Sequence, residues 1–392
     1  MSFPQYDASA LKALDAQAKA TLAVFAKNKY QRVEPSILQP ANVFLDRSGE
    51  EIRRRTFVLN DSSGTELCLR PDLTVPVCRL FMENGAKLPA RFSYHGPAFR
   101  MQPNDPARPV QFLQTGVECL GEIREAQADM EVLALGAEGV RAAGLSKFSV
   151  QLGDVGIVFA LIDTLDISLL WRARLKRHFW RPDYFKELLR RLSGQGPKAS
   201  RSYLARLAAS ESSDARAAAE GLLDHLGVTA DKAIPGGRTR EEIIERVLEQ
   251  AREARAPHLD KRQATLLEDV LNVAGNARRS VKTLEKIFTG AGIDVKDALA
   301  ATAERIEKLE QLGLESKQIY FAARFGRTME YYTGFVFELW ARDRQRQIQI
   351  AGGGRYDSLL RSLGAPKEIP AVGCAIWAER VFAARKALGA VK

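Results

Sequence analysis

Residues 91–121, RFSYHGPAFRMQPNDPARPVQFLQTGVECLG, hold the pattern that decides the fold. The two ends, RFSYHGPAFR (91–100) and VQFLQTGVECLG (110–121), read as strands, and PNDPARP between them is turn-prone. Arg100 closes the first strand. Gln114, Gly116 and Glu118 share one face of the second, because side chains alternate along an extended chain. Antiparallel pairing places Arg100 beside them. An Arg, a Gln and a Glu on an inward face are costly to bury unless they pair with one another or meet a ligand. Both outcomes are open at this point: a structural Arg–Glu pair, or a binding site.

Outward from this hairpin the chain divides into three zones. The first, residues 1–158, opens with an amphipathic helix whose apolar positions Leu11, Leu14, Ala18, Leu22 and Phe25 recur at three and four residues. Further strand-like stretches, TFVLND, ELCLRP and KFSVQLGD, lie in the same zone. Strands that follow one another through short connections predict an antiparallel sheet, whereas a nucleotide-binding parallel sheet alternates strand with helix. Residues 159–316 are helical in pattern, with stripes such as Ile243, Ile244, Val247 and Leu248, and read as an inserted helical domain. Residues 317–392 return to strands, QIYFAARFG, YTGFVFELWARD and RQIQIAGG, which complete the sheet, and finish in a helix carrying AIWAERVFAARKAL. The expected class is therefore α+β, an antiparallel sheet flanked by helices and interrupted by a helical insertion.

Three other stretches carry polar groups suited to a site. In LCLRPDLTVPVCRL, Asp72 and Thr74 stand two residues apart at the end of a predicted strand, on one side, where they can accept from an amino group. Asp72 is equally placed to cap a helix. In ARFGRTMEYYTGFVFELW, Arg327 precedes Tyr331 and Tyr332, adjacent residues entering a strand, so one lines a pocket while the other packs. In AGGGRYDSLLRSLG, the run Gly352–Gly354 allows close approach of a ligand or another backbone. A glycine run without the phosphate-loop lysine is not that motif, and no Ser/His/Asp constellation of a hydrolase is legible.

Composition sets limits. The chain has 392 residues and a formal charge of +10, from 58 basic and 48 acidic side chains. No apolar run approaches the roughly 20 residues that cross a bilayer, and the first residues lack the basic-then-apolar pattern of a secretion signal. A cytoplasmic protein is expected. Four dispersed cysteines and four dispersed histidines predict reduced thiols and no metal; no cofactor is expected either. The basic, aromatic stretch WRARLKRHFWRPDYFKELLRR (171–191) can serve as a solvated face over a buried aromatic stripe, as a partner contact, or as a nucleic-acid contact, in that order of preference.

Taken in order, these stretches resemble the histidyl-tRNA synthetase family of class II aminoacyl-tRNA synthetases. RVEPSILQP with Pro35 resembles its first motif, GPAFR…QFLQTGVE its second, and GGGRYD…PAVGCAIWAER its histidine-specific glycine segment and third motif. RTMEYYTGFVFE resembles the segment the family writes RGLDYY. The resemblance implies that Asp72 and Thr74 hold the amino group of a bound histidine. It places Arg100 and Gln114 near the carboxylate, Glu118 and Tyr332 about the imidazole, Tyr331 and Tyr356 in the wall, and Arg327 on the carboxylate. Arg108 and Arg380 are candidate phosphate contacts. Against synthesis stand Gln102 and Pro103, where the family has Glu and Arg, Val110 in place of a basic residue, and Trp377 where it has a small glycine. The family continues for about a hundred residues, a domain's length, after its third motif to bind the anticodon, and this sequence ends twelve residues after Arg380. That combination resembles the synthetase-like regulatory chains that accompany short phosphoribosyltransferases. It implies self-association as a dimer through the core, a short-form ATP phosphoribosyltransferase catalytic chain as partner, histidine as effector, and no catalysis by this chain. The alternative is a ligase that adenylates histidine without recognising tRNA.

Overall fold

The computed structural model describes residues 4–45, 52–102, 108–179, 181–194, 212–225, 240–255, 259–326, 331–343 and 346–389. The strands are β1 (Gln31–Arg32), β2 (Leu38–Pro40), β3 (Phe57–Asn60), β4 (Glu66–Leu69), β5 (Ala90–Phe99), β6 (Gln111–Leu120), β7 (Ser149–Asp154), β8 (Ala274–Asn276), β9 (Ile319–Ala322), β10 (Phe335–Asp343), β11 (Arg346–Arg355) and β12 (Ala371–Trp377). The helices used below are α1 (Ala8–Lys27), α2 (Thr74–Asn84), α3 (Glu125–Ala142), α4 (Leu169–His178), α5 (Pro182–Leu192), α6 (Ser212–His225), α7 (Arg240–Arg255), α8 (Ala277–Ala291), α9 (Lys296–Gln311) and α10 (Ala378–Ala387). No helix among the described residues is long and apolar enough to cross a membrane.

Two compact units emerge. The first comprises residues 1–158 and 270–392, the second 159–269. The first unit holds a nine-stranded sheet in the order β1-β5-β6-β12-β11-β10-β7-β9-β8 and a three-stranded sheet in the order β2-β4-β3. The hairpin of β5 and β6 pairs all ten residues, from Ala90 with Leu120 to Phe99 with Gln111. The run from β5 to β7 is antiparallel throughout, as the short connections predict. Parallel pairs enter only beyond it, β1 with β5 and β7 with β9.

Helix α3 lies against this sheet, and its Gly139 carbonyl accepts from the Thr21 hydroxyl of α1 at 3.1 Å. The buried face of α1 is Leu14, Gln17, Ala18, Thr21 and Phe25. Leu11, expected on that face, is 48% exposed. AIW (375–377), expected within the terminal helix, is instead the end of strand β12, held between β6 and β11. Its small and apolar residues suit a helix as well as a central strand, and pairing on both edges decides the matter.

The helical insertion was expected over 159–316, but the second unit stops at Asp269. Residues 270–316 belong to the first unit because α8 packs on β8 and β9 and α9 packs on α3. In the second unit, Ala215, Ala219 and Leu223 of α6 meet Ile244 and Leu248 of α7. Trp171 and Phe179 are buried, and Phe179 stacks edge-on with Phe159 and Phe185. The basic residues above them are engaged locally: Lys176 with Asp163 at 2.6 Å, and Arg174 with the Tyr184 hydroxyl at 2.6 Å. The aromatic stripe is buried as expected, but Arg174 is buried with it, 8% exposed, and does not stand on a solvated face. Trp180 lies outside the described residues.

Candidate functional site

Asp72, Thr74, Arg100, Gln114, Tyr331, Tyr332 and Tyr356 line one cavity in the first unit, with Gly352, Gly373, Cys374, Ala375 and Trp377 completing its wall. Seven of the nine residues expected to hold histidine thus converge from four places in the sequence. Arg327 lies outside the described residues, and Glu118 sits one layer deeper.

Asp72 and Thr74 come together in a way the sequence did not suggest. They do not extend a strand: β4 ends at Leu69, and Thr74 is the first residue of α2. Asp72 Oδ1 accepts from the Val75 N–H at 3.2 Å, so the capping role and the position at the cavity coincide. Tyr331 and Tyr332 also precede their strand, since β10 begins at Phe335. The alternation that would send one of them away does not apply. Both are buried and both line the cavity, their rings 4.9 Å apart, with Tyr356 edge-on to Tyr331 at 5.7 Å.

Glu118 is fully buried and is not part of the cavity surface. Its carboxyl accepts from the Thr74 hydroxyl at 2.7 Å, from the Tyr94 hydroxyl at 3.2 Å and from the Tyr356 hydroxyl. It therefore orients two lining residues in this conformation, where direct contact with an imidazole was expected. Burial pushes its pKa up to about 8 against the pull of its three donors. The pairing of Glu118 with Gly373 across β6 and β12 explains the glycine: a methyl group at residue 373 would overlap the Glu118 carboxyl.

Gln114 is 2% exposed, and its Oε1 has no hydrogen-bond donor among the described residues. A buried amide acceptor at a cavity wall suits a ligand that brings an N–H, since an unmet acceptor costs about 1–3 kcal/mol. Beside it in register stands Trp377, 3% exposed, with the Arg380 guanidinium 4.7 Å from the ring centre. Arg380 donates to the Gln349 carbonyl at 3.0 Å. Burial, then the charges of Arg108 and Arg100, lower its pKa to about 10. The three arginines are thus electrostatic neighbours. Arg100 itself donates to the Pro71 carbonyl at 2.7 Å and lies over the Phe112 ring.

The free space in the cavity is about 20 Å³, room for about one water. An amino acid enters only if lining side chains move. Sequence reasoning missed Tyr94, which carries no motif signal, Gly373 and Cys374, and Ala375, which it had assigned to a helix. Among the described residues no cluster of three or more His, Cys, Asp or Glu can hold a metal.

The family model described as Histidyl-tRNA synthetase matches residues 5–233 and 222–381. The chain belongs to the histidyl-tRNA synthetase family. The solved structure titled an ATP phosphoribosyltransferase regulatory subunit/histidyl-tRNA synthetase from Bacillus halodurans superposes with a TM-score of 0.66 at 23% identity, covering 98% of this chain and 83% of that one. The histidyl-tRNA synthetase of Nostoc sp. gives 0.63 at 15% identity, covering 100% and 75%. Both likenesses are of fold. Within the family the chain belongs with the proteins named ATP phosphoribosyltransferase regulatory subunit. It is 35% identical to the one from Mesorhizobium japonicum over 93% of this chain and 96% of that protein. It is 34% identical to the one from Brucella anthropi over 89% and 92%.

Proposed function

We propose that this chain is the histidine-responsive regulatory subunit of a two-chain ATP phosphoribosyltransferase, acting in the cytoplasm at the first step of histidine biosynthesis. The observation that carries the histidine part is the cavity itself. An acceptor pair from Asp72 and Thr74, the unmet Gln114 carbonyl and the phenols of Tyr331, Tyr332 and Tyr356 surround it. Such groups suit an ammonium and a ring with two nitrogens. The regulatory part is supported by the names of relatives similar over nearly their whole length. Trp377, a bulky indole with Arg380 over its ring, forms part of the cavity wall where the family has a small glycine, which argues against room for an adenylate and so against the ligase alternative.

The subunit also pairs with a second copy of itself in this reading. The rows Leu38–Leu69–Phe57 and Pro40–Leu67–Leu59 put six apolar residues on one face of the three-stranded sheet, and none of the six is buried. A contiguous apolar sheet face left in water marks an interface.

Regulation needs differential affinity: histidine alters the partner only by binding one arrangement of the complex better than another. The closed cavity supplies such a difference, since opening it accompanies binding. The test is to mix the chain with a short-form ATP phosphoribosyltransferase and assay with and without histidine. Activity above that of the catalytic chain alone, suppressed by histidine, is expected. Unchanged activity on mixing overturns the assignment, and rapid pyrophosphate exchange with ATP and histidine would install the ligase instead.

A further inference from the structure

The walls of the cavity are anchored unequally. Gln114 lies in β6, paired with β5 and β12. Gly373, Cys374 and Ala375 lie in β12, paired with β6 and β11. Thr74 and Tyr356 are bonded to buried Glu118. Tyr331 and Tyr332 belong to the turn 331–334 ahead of β10, so their placement depends on what fastens that turn.

Thr333 fastens it to the end of β11. Its N–H donates to the Arg355 carbonyl at 2.9 Å. Its hydroxyl accepts from the Asp357 N–H at 3.1 Å and faces the same Arg355 carbonyl at 3.5 Å. Thr333 thus grips both chain neighbours of Tyr356. One residue on, the Gly334 carbonyl accepts from the Val155 N–H at 3.0 Å. Tyr332 rests on Gly354, where a methyl group would meet its ring at 2.9 Å.

The seat of the turn is itself held on several sides. The Arg355 guanidinium binds Asp129 of α3 and Asp357, and donates to the Glu125 carbonyl at 2.9 Å. Asp357 accepts from the Ala371 N–H at 2.7 Å, which ties it to the start of β12. Arg305 of α9 joins the same Asp129, reaches Asp154 just ahead of Val155, and lies 4.2 Å from the Phe335 ring centre. A buried ionic frame therefore stands behind the turn, and the Thr333 hydroxyl joins the two.

We propose that Thr333, which does not line the cavity, is a positioning residue for histidine: its hydroxyl fixes the backbone from which the Tyr331 and Tyr332 rings move to admit the ligand, in register with Tyr356. The inference rests on the function proposed above. A wall ordered beforehand loses no freedom on binding, so preorganisation appears as affinity. Without the hydroxyl the Asp357 N–H loses its acceptor, and the ligand has to order the turn at a cost to its own binding. A threonine that merely closes a local turn would change stability and leave affinity alone.

The experiment titrates histidine calorimetrically into the whole chain together with a short-form ATP phosphoribosyltransferase, each protein well below its melting transition. The parent is compared with Thr333→Val, which keeps the shape, with Thr333→Ala, and with Thr333→Ser, which keeps the hydroxyl. Thr333 is only partly buried, and Thr333→Ala serves if Thr333→Val does not fold. The expected result is a histidine dissociation constant at least about fivefold higher in the Val and Ala variants, restored to near the parent value in the Ser variant. Lower melting temperatures with unchanged dissociation constants would make Thr333 a local stabiliser and overturn the inference while leaving the function standing. So would a Ser variant that binds as weakly as the Val variant. No binding of histidine by the parent overturns the proposed histidine response and this inference together.

Discussion

Glu118 shows how one residue sets the chemistry of the site from behind it. In the unfolded chain its carboxyl titrates near the ordinary value of 4.5, and in the folded protein near 8. Between those two values the folded state holds a proton that the unfolded state has released. Its contribution to stability is therefore fully present below about pH 4.5 and is lost as pH rises towards 8. Glu118→Gln does not titrate, so the stability of this variant relative to the parent should improve steadily from pH 5 to pH 8. Urea melts at three pH values check this, and a constant difference would contradict the assignment. Gln114→Ala removes the unmet acceptor and should weaken histidine binding by about 1–3 kcal/mol without lowering the melting temperature. An unaltered dissociation constant would remove Gln114 from the site. At this scale the sequence was legible where a pattern of two or a motif fixed a residue, as for Gln114 and Arg100. For Tyr331 and Tyr332 alternation failed, because a turn ahead of β10 replaced the strand it was applied to, and only the resemblance of RTMEYY put both tyrosines at the cavity.

The elements are tied together by a buried ionic cluster beside the site. Arg355, next to Tyr356 at the end of β11, donates to Asp129 of α3 at 2.7 Å and to Asp357 at 2.9 Å. Arg305 of α9 also binds Asp129 and reaches Asp154 at 3.3 Å. Removing one partner leaves buried charge unpaired, so Asp129→Ala should cost about 3–5 kcal/mol, read as a lower denaturation midpoint; a cost under about 1 kcal/mol would show that the cluster is not structural. The small sheet carries a separate expectation. Leu38→Asp with Leu59→Asp should convert a dimer to a monomer in sedimentation while histidine binding persists, and an unchanged mass would release that face from the interface. Strands β3 to β7 and β9 to β11 were legible from alternation and turn residues, unlike the two- and three-residue β1, β2 and β8. Strand β12 was not, since Ala371–Trp377 lacks alternation and gains its conformation from β6 and β11, which are remote in sequence.

At the scale of the molecule, the synthetase-like core was legible because its motifs come in order along the chain. The limit of the second unit was not. The amphipathic stripes of α8 and α9 look like those of the preceding helices, and nothing local says that they pack on β9 and α3 instead. The proposed function requires that a synthetase-like amino-acid pocket bind histidine, and bind it by opening. Titration calorimetry of histidine into the chain together with its short-form ATP phosphoribosyltransferase measures this most directly. Saturable heat with histidine, and none with leucine or phenylalanine at the same concentration, is the predicted result. No heat with histidine in the low millimolar range would contradict it.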